Sequence, residues 1–148
     1  MDFGILLGLA YHHFVIELNR HLAALGFESI GPSYGYVFRA LASERRTTAQ
    51  LAAQLGITSQ GMAKIIDDME STGYVSRHPD PADARVKLLD LTPRGRAALA
   101  AARRFHHEFE ASLAAKAGER KVAHTREVLT SLIGATPAED LTRSLRPL

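Results

Sequence analysis

No cysteine occurs anywhere in the 148 residues, which excludes disulfides and thiolate metal sites. No apolar run reaches membrane-spanning length. The first one is broken by His12, His13 and Glu17, which also argues against a secretory signal. These absences predict a cytoplasmic protein with no membrane partner. An excess of one charge is missing too: 18 Lys and Arg stand against 16 Asp and Glu, a net +2. Affinity for a polyanion must therefore come from a placed patch rather than from bulk charge. Nor is there a nucleophile with a base beside it. Ser43, Ser71, Ser76 and the histidines are scattered at no catalytic spacing, so the expectation is no enzyme and no required cofactor.

What the chain does have is concentrated between residues 47 and 95. Thr47-Thr48-Ala49-Gln50 is a capping box, in which the Thr47 hydroxyl and the Gln50 side chain satisfy helix-end donors reciprocally. Leu51, Ala52 and Leu55 follow at helical spacing, and Gly56 supplies the left-handed residue that closes a helix. Thr58 caps a second helix whose apolar positions, Met62, Ile65, Ile66 and Met69, repeat at i, i+3, i+4, i+7. Ala52 keeps the two helices close, with Leu51, Leu55, Ile57, Met62 and Ile65 as the small core that sets their crossing angle. Two helices joined by so short a turn, the second amphipathic, are the geometry that offers a recognition helix to a DNA major groove. Ser59, Gln60, Gly61 and Lys64, near the start of the second helix, suit base edges and phosphates. The acidic run Asp67, Asp68 and Glu70 comes late on that helix and should face away from phosphate. An ordinary helical hairpin with a solvated outer face would share the periodicity but not the segment that follows.

After Gly73 the chain reads as extended over 74–78 and again over 86–91, separated by the turn-forming run Pro79-Asp80-Pro81-Ala82-Asp83-Ala84-Arg85. The return strand alternates only in part, which predicts a bulge near Leu88-Leu89. Thr92 then caps a helix with Pro93 at its first position. Arg85 at the hairpin tip and Arg77 at its base suit the negative potential of a narrow minor groove. Asp83 is placed to pair with either arginine and fix its direction. Thr47, Thr58, Arg77 and Arg94 are the candidates for phosphate contact, the two threonines through helix N-termini.

These residues carry a family resemblance. Gly56-Ile57-Thr58 through Met69-Glu70, then Gly73-Tyr74-Val75 and Arg77, then Asp80-Pro81-x-Asp83-x-Arg85 and Leu91-Thr92-Pro93-x-Gly95, together resemble the MarR family of winged helix-turn-helix regulators. The resemblance runs from about residue 5 to residue 134. It implies an obligate homodimer on a pseudo-palindromic operator in double-stranded DNA, usually a repressor released by a small ligand or by thiol oxidation. Without cysteine the second release route is closed. Members often carry hydroxylated residues early on the recognition helix, where this chain has Gly61 and Ala63, so base readout is expected to lean on Ser59, Gln60 and Lys64.

The fold expected is mainly α with a small β-hairpin wing. One domain spans 1–148, with a winged helix-turn-helix lobe at 30–96 and helical dimerisation segments at 1–29 and 97–148. A helix over 3–25 has apolar residues on more than one side, including Leu9, Ile16 and Leu22, which predicts burial on more than one side. Gly31-Pro32 restarts a helix through Leu41. A long helix runs from Pro93 to Leu113, Gly118 interrupts, and Val122 to Ile133 form the last full helix. A second capping box at Thr136-Pro137-Ala138-Glu139 opens a short terminal helix with Leu141 and Leu145. Both ends of the chain are expected to pack across a two-fold axis, leaving the wings outermost.

In the resembled family, small aromatic or lipophilic effectors sit between the first, second and fifth helices. Tyr11, His12, Phe14, Tyr34, Phe38, Phe105 and Phe109 are the residues here for such a pocket, although each taken alone reads as core. A zinc response is an alternative effector reading, from His13, Glu17 and His21 at i, i+4, i+8 and from His106 and Glu110 at i, i+4. Three ligands spread over two turns cannot reach one ion unaided, and solvated or interface histidines explain the same spacing. A winged-helix protein-interaction module without specific DNA binding is the class-level alternative.

Overall fold

The computed structural model describes residues 1–134. The second capping box and the terminal helix with Leu141 and Leu145 lie outside the described residues. Among the described residues, six helices and one hairpin follow in the order α1 (Phe3–Ala24), α2 (Tyr34–Ser43), α3 (Thr48–Leu55), α4 (Ser59–Ser71), β1 (Val75–Pro79), β2 (Lys87–Leu91), α5 (Pro93–Ala117) and α6 (Glu119–Ile133). The sequence placed all of them. The departures are at the ends: α2 begins at Tyr34, beyond Pro32, and α5 runs to Ala117.

Local chemistry sets these limits. The Thr47 hydroxyl accepts from the Gln50 amide at 3.1 Å and the Gln50 side chain accepts from the Thr47 amide at 2.8 Å, the reciprocal cap expected. Gly56 closes α3 at φ 63, ψ 29, a left-handed conformation that costs glycine nothing. At the start of α5 the Thr92 hydroxyl accepts from the Gly95 amide at 3.0 Å and donates to the Gly73 carbonyl at 2.6 Å. Gly95 itself lies against backbone: a Cβ there would stand 2.1 Å from the Tyr74 carbonyl oxygen. The Leu-Thr-Pro-x-Gly run therefore locks the hairpin onto the long helix.

One core unites α2 to α5 with the hairpin. Val37, Leu51, Met62, Ile66, Met69, Tyr74 and Leu89 are fully buried in it. Each large apolar side chain so buried contributes about 1.5–3 kcal/mol. Tyr74 brings its hydroxyl inside and donates it to the Glu28 carbonyl at 2.8 Å, so the polar atom is satisfied.

The hairpin pairs continuously from Val75↔Leu91 to Pro79↔Lys87. The expected bulge near Leu88-Leu89 is absent. Leu89 instead exchanges backbone hydrogen bonds with Arg46, at 2.8 and 3.4 Å, so the segment before α3 forms an extra bridge on the sheet. The bridge gives the partly alternating strand a partner on its second edge, and no extra residue needs to be accommodated.

α1 and α6 pack on α5. Only Leu22 of α1 is buried, and no residue of α6 is. Leu9 is 51% exposed and Ile16 42%, so among the described residues the apolar breadth of α1 is not covered. Burial on more than one side was expected, and a single chain supplies α5 as the main neighbour of this helix.

Candidate nucleic-acid interface

The α3–turn–α4 unit presents the polar start of α4 outward. The Thr58 hydroxyl accepts from the Gly61 amide at 3.0 Å, which leaves the amides of Ser59 and Gln60 at the helix start without an intrahelical acceptor. Ser59, Gln60 and Lys64 are exposed, and Gly61 is partly so. Their opposite face holds Met62, Ile66 and Met69 in the core, which fixes the direction of the outer face. A helix N-terminus with free amides, two hydrogen-bonding side chains and a lysine one turn on is equipped for phosphate and base edges. At α3 the reciprocal cap already uses the Thr47 hydroxyl and amide, so a phosphate contact there would fall to the amides that follow.

The wing tip is held by its own acids. The Asp80 carboxylate accepts from the Ala82 amide, and the Asp80 amide donates to the Val86 carbonyl at 2.9 Å. Asp83 grips Arg85 with both oxygens, each at 3.0 Å, and also accepts from the Arg85 amide. The Arg85 guanidinium, then its backbone amide, hold the Asp83 carboxyl below its ordinary range. The pair is solvent-exposed, so its role is to aim the guanidinium rather than to add stability. Of the two arginines offered to Asp83 by the sequence, the tip residue takes it.

Arg77 and Arg94, expected as phosphate contacts, both have partners within the fold. Strand alternation puts Arg77 on the same face as Val75, toward α4, where it bonds Asp67 at 2.6 Å and Glu70 at 2.5 Å. Asp67 and Glu70 therefore neutralise Arg77 and brace the hairpin against the recognition helix. Arg94 donates to the Gly26 carbonyl at 3.0 Å and lies over the Tyr74 ring, 4.9 Å from its centroid. It ties the start of α5 to the end of α1. Basic residues that the sequence reading passed over also flank the wing. Arg45 and Arg96 both clasp Asp90, at 2.9 and 2.6 Å, and Lys87 is exposed at the base of the tip. A count of charges around the motif would have found them; their partners depend on the folded sheet.

The aromatic set does not form one pocket. Tyr34 and Phe38 stack edge-on with Tyr74 in the core of the winged lobe. Phe14, Phe105 and Phe109 form a separate cluster in the α1–α5 seam, with ring centroids 5.0 to 5.7 Å apart. Tyr11 and His12 are exposed. Phe14 and Phe109 do line one wall of an open groove of about 580 Å³ between α5 and α6.

The histidines are likewise divided. His21 stacks on Phe105 and His106 on Phe14, while Glu17 pairs with Arg20 and Glu110 with Arg126. His13 is exposed on α1. Among the described residues no three of His, Cys, Asp and Glu stand close enough to hold a metal ion. Among the described residues one Ser–His contact forms, Ser76 Oγ to His78 Nε2 at 2.9 Å, which strand alternation places on one face of β1. No carboxylate bonds that imidazole among the described residues, so the orienting third group of a nucleophilic set is lacking.

Residues 29–86, from the loop before α2 to the end of the wing turn, match the model of the MarR family. No curated protein was found to match the chain. Among solved structures, a mutant of MepR from S. aureus bound to an oligodeoxyribonucleotide is 20% identical, with a TM-score of 0.64 over 90% of this chain and 96% of that one. A mutant of MarR from E. coli complexed with operator DNA is 22% identical, with a TM-score of 0.66 over 88% and 92%. The YusO protein from Bacillus subtilis is 16% identical, with a TM-score of 0.71 over 90% and 94%. The family resemblance carried by the turn and wing residues is upheld, and the winged-helix fold extends over nearly the whole chain.

Proposed function

We propose that the chain is a transcription regulator that binds double-stranded DNA in a sequence-dependent way. In this reading it acts as a homodimeric repressor on a pseudo-palindromic operator, released by a small lipophilic ligand. The observation that carries the reading is the pairing of two outward-facing features on one lobe: the capped start of α4 with Ser59, Gln60 and Lys64, and the wing-tip Arg85 aimed by Asp83. Ser59 and Gln60 are assigned to base edges and Lys64 to phosphate in the major groove, and Arg85 to the minor groove. The DNA complexes of MepR and MarR support the assignment by fold.

The dimer is supported by the uncovered apolar surface of α1 and α6. Phe3, Ile5, Leu6 and Leu9 on one helix, and Val128, Leu129, Leu132 and Ile133 on the other, are each at least 39% exposed. A second copy would cover them across a two-fold axis and set the half-sites about one helical turn apart. Selection of bound fragments from genomic DNA tests the proposal. The expected product is an inverted repeat with that spacing. Fragments without a shared repeat would mean that the winged helix serves another use, such as a protein contact.

A further inference from the structure

The core holds the wing only at its base. Val75 and Leu89 are buried, and in the hairpin register Arg77 stands opposite Leu89. Farther toward the tip, His78, Pro79 and Lys87 are exposed. Among the described residues, Arg77 is the one hairpin side chain that hydrogen-bonds α4. Its two terminal nitrogens take two separate acids, Asp67 at 2.6 Å and Glu70 at 2.5 Å. A planar guanidinium held at two points fixes direction as well as distance.

The seat of this grip lies on the helix assigned to DNA. Gln60, Lys64 and Asp67 stand at i, i+4 and i+7, which sets them along one stripe of α4, and all three are exposed. The stripe that carries the groups for base edges and phosphate therefore continues into the acids that hold Arg77. At the other end of the hairpin Asp83 aims Arg85. One path joins the two DNA-facing features: along α4 to Asp67 and Glu70, through Arg77, and out along the hairpin to Arg85. With Asp67 64% exposed and Glu70 39%, the ion pairs add little to stability. Their effect is on the angle between wing and helix.

We propose that Arg77 is a positioning residue for DNA recognition. It sets the separation between the α4 contact in the major groove and the Arg85 contact in the minor groove, and so selects operators by the spacing between half-site core and flank. The proposal rests on the reading of the chain as a DNA-binding regulator. One added base pair moves the flank by about 3.4 Å along the duplex and turns it by about a tenth of a helical turn. A braced wing cannot follow that shift, whereas a wing held only at its base can.

The test uses the full chain and a duplex recovered by selection from genomic DNA. Beside it stands the same duplex with one base pair inserted in each arm, between the stretch protected in the major groove and the flank protected in the minor groove. The distance between the two half-sites is thereby kept. The quantity read is the ratio of the two Kd values by fluorescence anisotropy, and insertion should cost the parent about tenfold or more. Two variants break the brace with opposite effects on charge. Arg77→Gln leaves Asp67 and Glu70 uncompensated beside the DNA-facing stripe, so affinity for the unaltered duplex should fall. Asp67→Asn with Glu70→Gln removes those charges and releases Arg77, so affinity should hold or rise. Both should bring the ratio below about threefold. A change of net charge alone would not move the ratio the same way in both. All three side chains reach solvent, so the variants should match the parent in circular dichroism. A ratio near one in the parent, or an unchanged ratio in either variant, would overturn the proposal. A parent that does not tell the selected duplex from a scrambled one would overturn the reading of DNA recognition itself, and the proposal with it.

Discussion

At the scale of the residue, a few side chains explain why the hairpin and the long helix keep their relation. Gly95 is one, because nothing larger fits against the Tyr74 carbonyl. Gly95→Ala forces the hairpin and α5 apart and should cost about 1–3 kcal/mol, read as a lower urea midpoint at unchanged slope. Arg85 is another, its guanidinium hydrogen-bonded among the described residues only to the acid that aims it. Arg85→Ala should weaken operator binding on the order of tenfold while folding and dimerisation stay as they were. Anisotropy titration and sedimentation check the two halves of that expectation. The sequence showed both residues, since each belongs to a short local pattern. It did not show what holds Arg77 and Arg94, for the same physical reason in both cases. A guanidinium looks free until its partners are known, and these partners lie 7 to 68 residues away in the chain.

At the scale of the element, the caps were legible and the faces were not wholly so. Thr47 with Gln50, Gly56, Thr58, and Thr92 with Pro93 all act within four residues of themselves, and each ended or began a helix as read. The Arg46–Leu89 bridge left no local signal, because one pair of backbone bonds imposes no periodicity. The aromatic set divided because Tyr34 and Phe38 belong to a helix that faces the winged core, whereas Phe14, Phe105 and Phe109 belong to the α1–α5 seam. On α4, Lys64→Ala should weaken binding about equally across duplex sequences and lower the salt slope by about 1. Gln60→Ala should instead relax sequence preference. The seam carries a pH dependence. Burial, and then the Arg39 charge, lower the pKa of His106 below its ordinary 6.5. The unfolded chain therefore binds the proton more readily than the folded one. The His106 contribution to stability is full above about pH 6.5 and is lost as pH falls through that value toward the lower folded one. Denaturation midpoints at pH 7.5 and 5.5 should differ less in His106→Gln than in the parent.

At the scale of the whole molecule, the winged part has a closed core and the helices α1 and α6 do not among the described residues. Leu9→Glu or Ile16→Glu should abolish dimerisation and DNA binding together, with the winged lobe still folded, as light scattering and circular dichroism would report. The apolar breadth of α1 was readable from the sequence, and among the described residues much of it stays exposed. How the two copies would meet was not, since no residue pattern within one chain specifies the partner's register.

The central claim is that the outward start of α4 and the wing tip read DNA sequence. Fluorescence anisotropy of the purified full chain on duplex from upstream of its own coding region, with salt titration and scrambled competitor, tests it most directly. The account predicts saturable binding by a dimer, a steep fall with salt and resistance to the scrambled duplex. Binding that scrambled DNA removes as readily as operator DNA, or that ignores Arg85→Ala and Gln60→Ala alike, would contradict it.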